Sequence, residues 1–163
     1  MKQIKFVITF FIIFTYTCLP IHAQDLLSWY DLIEYDTDTN KISAELKQKI
    51  TKKVKVVGFI VPLTDENSFD KVQEFFLVPD PMMCIHVPAP PPNQMIYVKM
   101  NKPIDLNIDF EGVYIIGEIK AKKGPINYGD AGFELLGTKA IECEDYPFDE
   151  FLDPLLELNI ENY

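Results

Sequence analysis

The feature that most constrains the fold of this sequence is a series of five short β-rich runs, three of which contain an internal glycine. Parts of these runs alternate between apolar and polar side chains, the period of a strand with one buried face. Gly58, Gly117 and Gly137 lie where an internal glycine typically marks a bulge or a sharp bend. The runs are KVKVVGFIVPL (53–63), EFFLVP (74–79), QMIYVKM (94–100), VYIIGEIKA (113–121) and FELLGTKAIEC (133–143). Five short, bent strands predict a mainly β fold, a small, partly open OB-like barrel, with a β-sandwich as second choice.

Short helices are expected before and after the strands. Residues 25–35 (DLLSWYDLIEY) carry apolar side chains at helical spacing. Ser43 is placed to cap a second helix over 44–50 (AELKQKI). From Glu142 onward the chain has eight acidic residues and no lysine, interspersed with leucine and phenylalanine. We expect 142–163 to be an acidic amphipathic extension that forms a C-terminal helix against the barrel or, alternatively, docks a partner.

The first 23 residues have the layout of a secretory signal peptide. Lys2 and Lys5 form a basic start, residues 6–14 are apolar except for one threonine, and Ala23 is a small residue suited to cleavage. The apolar run is shorter than a membrane-spanning helix requires. Residues 1–23 are therefore predicted to be removed on export to the periplasm or the exterior.

The remaining residues, 24–163, are predicted to form a single exported domain. A chain of this length builds one hydrophobic core. Thr15 and Thr17 stand where a lipoprotein would carry the residues that precede its lipidated cysteine, so Cys18 is not the favoured anchor. We expect no transmembrane segment in the mature chain.

The charge of the mature chain argues against nucleic-acid binding. The full sequence has a net charge of −10, and removal of Lys2 and Lys5 leaves 13 lysines against 25 acidic residues, a net charge of −12. There is no arginine, so the chain lacks the guanidinium group that typically binds phosphate. Binding of a cation, by contrast, is compatible with an acidic protein.

The stretch MMCIHVPAPPPNQ (82–94) concentrates most of the chemistry in this sequence. Cys84 and the only histidine of the mature chain, His86, are two residues apart, so an extended backbone would direct both side chains to one face. Six of the 12 prolines lie between Pro79 and Pro92. A proline run holds an extended conformation and donates no backbone hydrogen bond.

A thiolate and an imidazole on one face are suited to a shared transition metal. Zinc accepts both ligands, and copper(I) would also bind the methionines Met82, Met83 or Met95. The pair is only half of a metal site. The remaining metal ligands could be oxygen or sulfur atoms of Asp80, Asn93, Asp130 and Cys143, although the spacing in the sequence singles out none of these residues.

Two other interpretations of the pair stay open. Cys84 and Cys143 are the two cysteines of the mature chain, and in an exported protein they could form a disulfide, which would stabilise the fold by roughly 4 kcal/mol. His86 would then anchor the proline segment by hydrogen bonds. In the second interpretation His86 activates Cys84 for thiol catalysis. Catalysis is not favoured, because proline follows the pair where a helix N-terminus would be expected.

The sequence resembles a bacterial family known as domain of unknown function 3299 (DUF3299). The similarity runs from Trp29 to Glu142 and is carried by WYDLI, VKVVGFIVPL, EFFLVP and CIHVPAPPPNQMIYV. Ala89 stands where a proline is expected, and Met82-Met83 where smaller residues are usual. The positions that match the signature of the family are Cys84, His86, Pro88, Pro90, Pro91, Pro92, Asn93 and Gln94.

The resemblance implies an exported envelope protein that accompanies transporter components, and it implies no established activity. We expect accessory binding of a transition metal, zinc before copper, by Cys84 and His86. Asn93 would hold the proline segment by a hydrogen bond. The alternative is a non-enzymatic scaffold that docks a membrane-protein partner through the proline ridge or the acidic C-terminal helix. An enzyme is the third choice.

Overall fold

The structure, a computed structural model, describes residues 25–63, 71–81, 90–105, 112–122 and 130–143. The predicted signal peptide and the predicted C-terminal helix lie outside these residues. Within the described ranges no helix has the length and apolar character needed to cross a membrane. In chain order the elements are β1 (Asp25–Leu26), α1 (Trp29–Ile33), β2 (Tyr35–Asp36), β3 (Lys41–Ile42), α2 (Ala44–Lys49), β4 (Lys53–Pro62), β5 (Lys71–Val78), a 3₁₀ turn (Pro92–Gln94), β6 (Ile96–Asp105), β7 (Gly112–Ala121) and β8 (Phe133–Cys143).

Five strands form a closed barrel in the order β4-β5-β6-β8-β7, with β7 returning to β4. Neighbouring strands are antiparallel except β6 and β8, which run parallel. All five β-rich runs of the sequence are strands, and the OB-like prediction is confirmed. The barrel is closed rather than partly open, because β4 is long enough to pair with a different strand along each half.

The change of partner along β4 occurs at Gly58. Residues Lys53–Gly58 pair with β7, and residues Phe59–Pro62 pair with β5. A Cβ atom on Gly58 would lie 2.7 Å from the backbone oxygen of Val78, closer than real Cβ contacts. Glycine is therefore required here because the backbone of β5 passes directly over the bend.

Residues 25–50, the end cap, complete the barrel from the N-terminal side. The expected helix over 25–35 is shorter than predicted, since Asp25–Leu26 pair with β4 as a parallel strand and α1 begins only at Trp29. Ser28 sets this start by a capping box: its Oγ accepts from the Asp31 N–H and its own N–H donates to Asp31 Oδ2. The second predicted helix is confirmed, with Ser43 Oγ accepting from the backbone of Leu46 at 3.0 Å.

The end cap packs into the same hydrophobic cluster as the interior of the barrel. The Trp29 side chain is fully buried, and its indole Nε1 donates to the backbone oxygen of Val57 at 2.6 Å, next to the bend at Gly58. Tyr35 packs edge-on against Phe133, the first residue of β8, with ring centres 5.3 Å apart. The end-cap side chains in this cluster are Leu27, Trp29, Leu32, Tyr35 and Leu46.

Replacing Trp29 by alanine is expected to lower the free energy of unfolding by about 3–5 kcal/mol, because it leaves a cavity and removes the hydrogen bond to Val57. Urea unfolding followed by circular dichroism measures the change. Tyr30→Ala is the matched control, since Tyr30 is the next residue of α1 and 57% exposed. Similar losses for both variants would contradict the role given to Trp29.

The stability of the end cap is expected to depend on Asp31 in acid. Burial would raise the pKa of Asp31, but hydrogen bonds from Lys49 and Ser28 outweigh it and hold the pKa below its ordinary value. This stabilisation is present above the pKa of the unfolded chain and is lost as the pH falls through the lower folded value.

Asp31→Asn should therefore lower the free energy of unfolding by about 1 kcal/mol at pH 7, the usual size of a capping interaction, and by less as the pH approaches 3. Urea unfolding between pH 7 and pH 3 measures this. The exposed Asp38→Asn, on the loop before β3, is the control. An unchanged difference between wild type and Asp31→Asn across this range would exclude the mechanism.

Candidate functional site

The stretch singled out in the sequence forms the connection between β5 and β6. On the β5 side Pro79 is buried and Pro81 is exposed. Residues 82–89 lie outside the described residues, and with them Cys84, His86 and Pro88. Their proposed roles stay predictions. The structure shows how the connection is held on either side of these residues.

The described end of the connection is a tight turn, residues 90–94, which we call the proline turn. Pro91 has the extended polyproline conformation, with φ −56° and ψ 144°, and a single 3₁₀ turn follows over Pro92–Gln94. Two backbone hydrogen bonds close it, from Gln94 N–H to Pro91 O at 2.8 Å and from Met95 N–H to Pro92 O at 3.2 Å. Pro90 is buried and Pro91 exposed, so the turn is set into the surface of the domain.

Asn93 attaches one side of the proline turn to the end cap. Its side-chain Nδ2 donates to the backbone oxygens of Ile33 at 3.5 Å and Tyr35 at 3.4 Å. Ile33 is the last residue of α1, where a helix leaves backbone acceptors without intrahelical partners, and Tyr35 is the first residue of β2. The two bonds are long and individually weak. Together they join the turn to the end of α1 and to the start of β2, 60 and 58 residues earlier in the chain.

Gly132 attaches the other side of the proline turn to the β7–β8 connection. Its N–H donates to Pro92 O at 2.5 Å, and its own carbonyl accepts from Lys122 N–H at 2.7 Å, which links the turn to both ends of the β7–β8 connection. A Cβ atom on Gly132 would lie 2.6 Å from Pro92 O and 3.2 Å from the Cα of Asn93. Any side chain at this position would push the turn away. The sequence carries no signal for this role, since Gly132 reads as an ordinary loop glycine.

Gln94 is buried, with 5% of its surface exposed, and its side-chain oxygen Oε1 has no hydrogen-bond partner. The preceding residues offer little to it, because prolines 90–92 have no backbone N–H. The N–H of Gly132 is already used by Pro92. A buried acceptor left without a donor typically costs about 1–3 kcal/mol of stability. The resemblance had placed Gln94 in the signature, but nothing in the sequence indicated an unpartnered oxygen.

Cys143 is the last residue of β8. It is buried against Val57 and Tyr114, and Val57 precedes Gly58, over which the end of β5 passes. A hydrogen bond with Cys143, together with burial, raises the pKa of Tyr114. Lys55 places its Nζ 3.6 Å from the centre of the Tyr114 ring, a cation–π contact. The predicted disulfide with Cys84 stays a prediction, because Cys84 is outside the described residues.

The other metal-ligand candidates are spread around the connection. Asp80 is half-buried just after β5, whereas Asp130 is exposed two residues before Gly132. Among the described residues no three of the types His, Cys, Asp and Glu come together in a group that could hold a metal. What the described part of the site brings together is therefore the rigid turn, its two attachments and the buried Gln94 oxygen.

Comparison with known proteins matches most of this chain to one protein family. A family model described as "Protein of unknown function (DUF3299)" matches residues 29–142. No curated protein matches the sequence. A crystal structure of a DUF3299 family protein from Pseudomonas aeruginosa PAO1 is similar in fold, with a TM-score of 0.56 and 23% sequence identity over 76% of this chain and 98% of that one. At this identity the likeness speaks for the fold alone.

Gly132→Ala is expected to displace the proline turn and to lower the free energy of unfolding by about 1–3 kcal/mol, since the added methyl group meets the backbone of Pro92. Two-dimensional NMR of the labelled protein should show the largest amide shifts at Asn93 and Gln94. The exposed Ala44→Gly, in the first turn of α2, is a control for a one-methyl change elsewhere. An unshifted turn would contradict the attachment.

Proposed function

The chain belongs to the DUF3299 family of proteins of unknown function, and from that premise we propose that it binds a transition metal, zinc before copper(I), in the cell envelope. Cys84 supplies a thiolate and His86 an imidazole. The geometry of the pair depends on a proline segment that ends in the proline turn. The observation that carries the proposal is the double attachment of this turn, to α1 through Asn93 and to the β7–β8 connection through Gly132.

A turn attached in this way supports ligand binding because it reduces the freedom of the residues it carries. Polar and metal ligands bind best when their backbone is already ordered in the binding conformation. Pro88, Pro90, Pro91 and Pro92 restrict the chain between the pair and the turn. Asn93 acts in this proposal as the hydrogen-bonding residue that fixes the loop.

The charge of the domain supports a cation as ligand. The chain carries 25 acidic residues against 15 lysines, and its sequence pI is about 4.6. An acidic surface raises the local concentration of cations and disfavours anionic ligands. Asp80 lies in the connection just after β5, and Asp130 lies two residues before Gly132. These are the carboxylates we assign to the approach of the metal.

Export and a transport role complete the proposal. Residues 1–23 have the composition of a signal peptide, and an exported metal-binding domain would serve an envelope transporter as an accessory protein. The partner in this proposal is a membrane protein that receives or delivers the metal.

The double variant Cys84→Ser, His86→Gln is expected to lower zinc affinity at least 100-fold, because both proposed protein ligands are lost. Isothermal titration with Zn²⁺ under reducing conditions measures it, and circular dichroism checks the fold. The control is Glu118→Gln, which removes an exposed carboxylate on β7. Equal zinc affinity in the double variant and the wild type would refute the site.

The same proteins separate the two other interpretations. If the protein is a scaffold, the double variant should still capture its membrane partner, whereas deletion of residues 148–163 should not. If the protein uses thiol chemistry, Cys84 should react with iodoacetamide rapidly at pH 6–7. A mass two units below the expected value after purification from an oxidising compartment would instead indicate a Cys84–Cys143 disulfide.

A further inference from the structure

The outer side of the barrel carries a three-stranded patch on β4, β7 and β8, which we call the β7 face. Val54 and Val56 of β4 and Ile115 of β7 belong to the cluster inside the barrel, so the residues that alternate with them point outward. Directly paired residues share one side of a sheet, and the strand register therefore aligns the outward residues in rows. The rows, read from β4 through β7 to β8, are Val57-Tyr114-Ile141, Lys55-Ile116-Lys139 and Lys53-Glu118-Leu136.

The apolar part of the β7 face is buried more deeply than its described neighbours explain. Val57 is 2% exposed, Ile116 is 5% exposed, and Cys143, at the end of β8, is 3% exposed. Within the described ranges the cluster of Val57 and Cys143 gains only the half-buried Tyr114. The outer side of an antiparallel sheet is normally solvated, and three side chains are too few to shield one another from water. The burial therefore requires a covering segment of apolar character.

We propose that the covering segment is the C-terminal extension, residues 144–163, which docks on the β7 face of its own barrel. The extension continues directly from Cys143, the last residue of β8. At about 3.3 Å per strand residue, the β7 face is about 13 Å long from Val57 to Lys53. The 20 residues after Cys143 are enough to reverse direction and to cover this length. The docking does not depend on the proposed metal site.

The extension matches the β7 face in charge as well as in apolar character. It contains seven acidic residues and no basic residue. Lys55 and Lys139 flank Ile116 in the middle row, and no ion pair within the described ranges joins either lysine to a carboxylate. Opposite charges around an apolar contact fix its register. The apolar side chains of the extension nearest to β8 in sequence are Phe148, Phe151, Leu152, Leu155 and Leu156.

The covalent connection to β8 favours the chain's own extension over any other occupant of the β7 face. A tethered segment meets its site at an effective concentration of roughly millimolar, whereas a second copy or a separate partner must bind from dilute solution. The extension therefore occupies the face first, and a competitor would have to displace it.

Cys143 reports on the docking, because it is buried beside the β7 face and is the last described residue before the extension. In a Cys84→Ser background it is the only cysteine from residue 24 onward. The double variant Phe151→Asp, Leu155→Asp removes two apolar contacts of the extension from the full mature chain. It is expected to make Cys143 react with iodoacetamide about 10-fold faster or more.

The matched control is Asn159→Asp, Asn162→Asp, which adds the same two charges to the extension and keeps its apolar side chains. It should leave the rate of Cys143 alkylation unchanged, and circular dichroism shows whether the barrel is folded in each variant. Equal rates in the two double variants would overturn the proposal. Alkylation of Cys143 in the Cys84→Ser background as fast as in the urea-unfolded chain would overturn it as well.

Cross-linking of the unsubstituted mature chain locates the extension without any variant. A water-soluble carbodiimide couples lysine amines to nearby carboxylates, and peptide mass spectrometry identifies the linked residues. We expect links within one chain between Lys55 or Lys139 and the acidic residues of 144–163. Links found only in a species of dimer mass would assign the face to a second copy. Links only to Lys71 of β5 or Lys102 of β6 would assign the extension to another face, and either result overturns the proposal.

Discussion

The hydrogen bond between the Trp29 indole and the Val57 carbonyl lies beside the bend at Gly58, on which closure of the barrel depends. At this point β4 stops pairing with β7 and begins to pair with β5. Because Gly58 has no side chain, the backbones of β4 and β5 can approach each other closely. A strand that changes partner must bend sharply, and an unsupported bend would open the sheet. Trp29 fills the space beside the bend and satisfies a carbonyl there. Closure of the barrel and burial of the end cap therefore depend on the same packing of Trp29 beside the bend.

The end cap also determines where the proline turn can lie. Because Trp29 and Tyr35 fix α1 against the barrel, the carbonyls of Ile33 and Tyr35 have a defined position, and Asn93 bonds to them. Gly132 holds the opposite side of the turn at the start of β8. The connection that carries the proposed ligands is thus attached to α1 and to the residue before β8, in addition to the two strands that it joins.

The strands could be predicted from the sequence, whereas the attachments could not. The run at 133–143 matches β8 from end to end, since alternation and internal glycine are local properties of a strand. The start of α1 was missed because apolar spacing continues through 25–28, and only the contact of β1 with β4 decides that these residues are extended. The contact of Gly132 with Pro92 joins residues 40 positions apart, and an amide oxygen without a partner depends on the whole surrounding fold.

The edge-on contact of Tyr35 with Phe133 has a consequence for the order in which the domain can form. The two rings are separated by 98 positions in the sequence, so the contact cannot form until nearly all of the described chain has been synthesised. Contacts between residues far apart in the sequence slow folding, because the entropy of closing a long loop is lost before the contact stabilises the chain. The end cap is synthesised first, yet its contact with Phe133 can form only after β8 has been synthesised. A chain that ended before β8 would therefore leave the Tyr35 ring without the aromatic contact that helps to hold the end cap on the barrel.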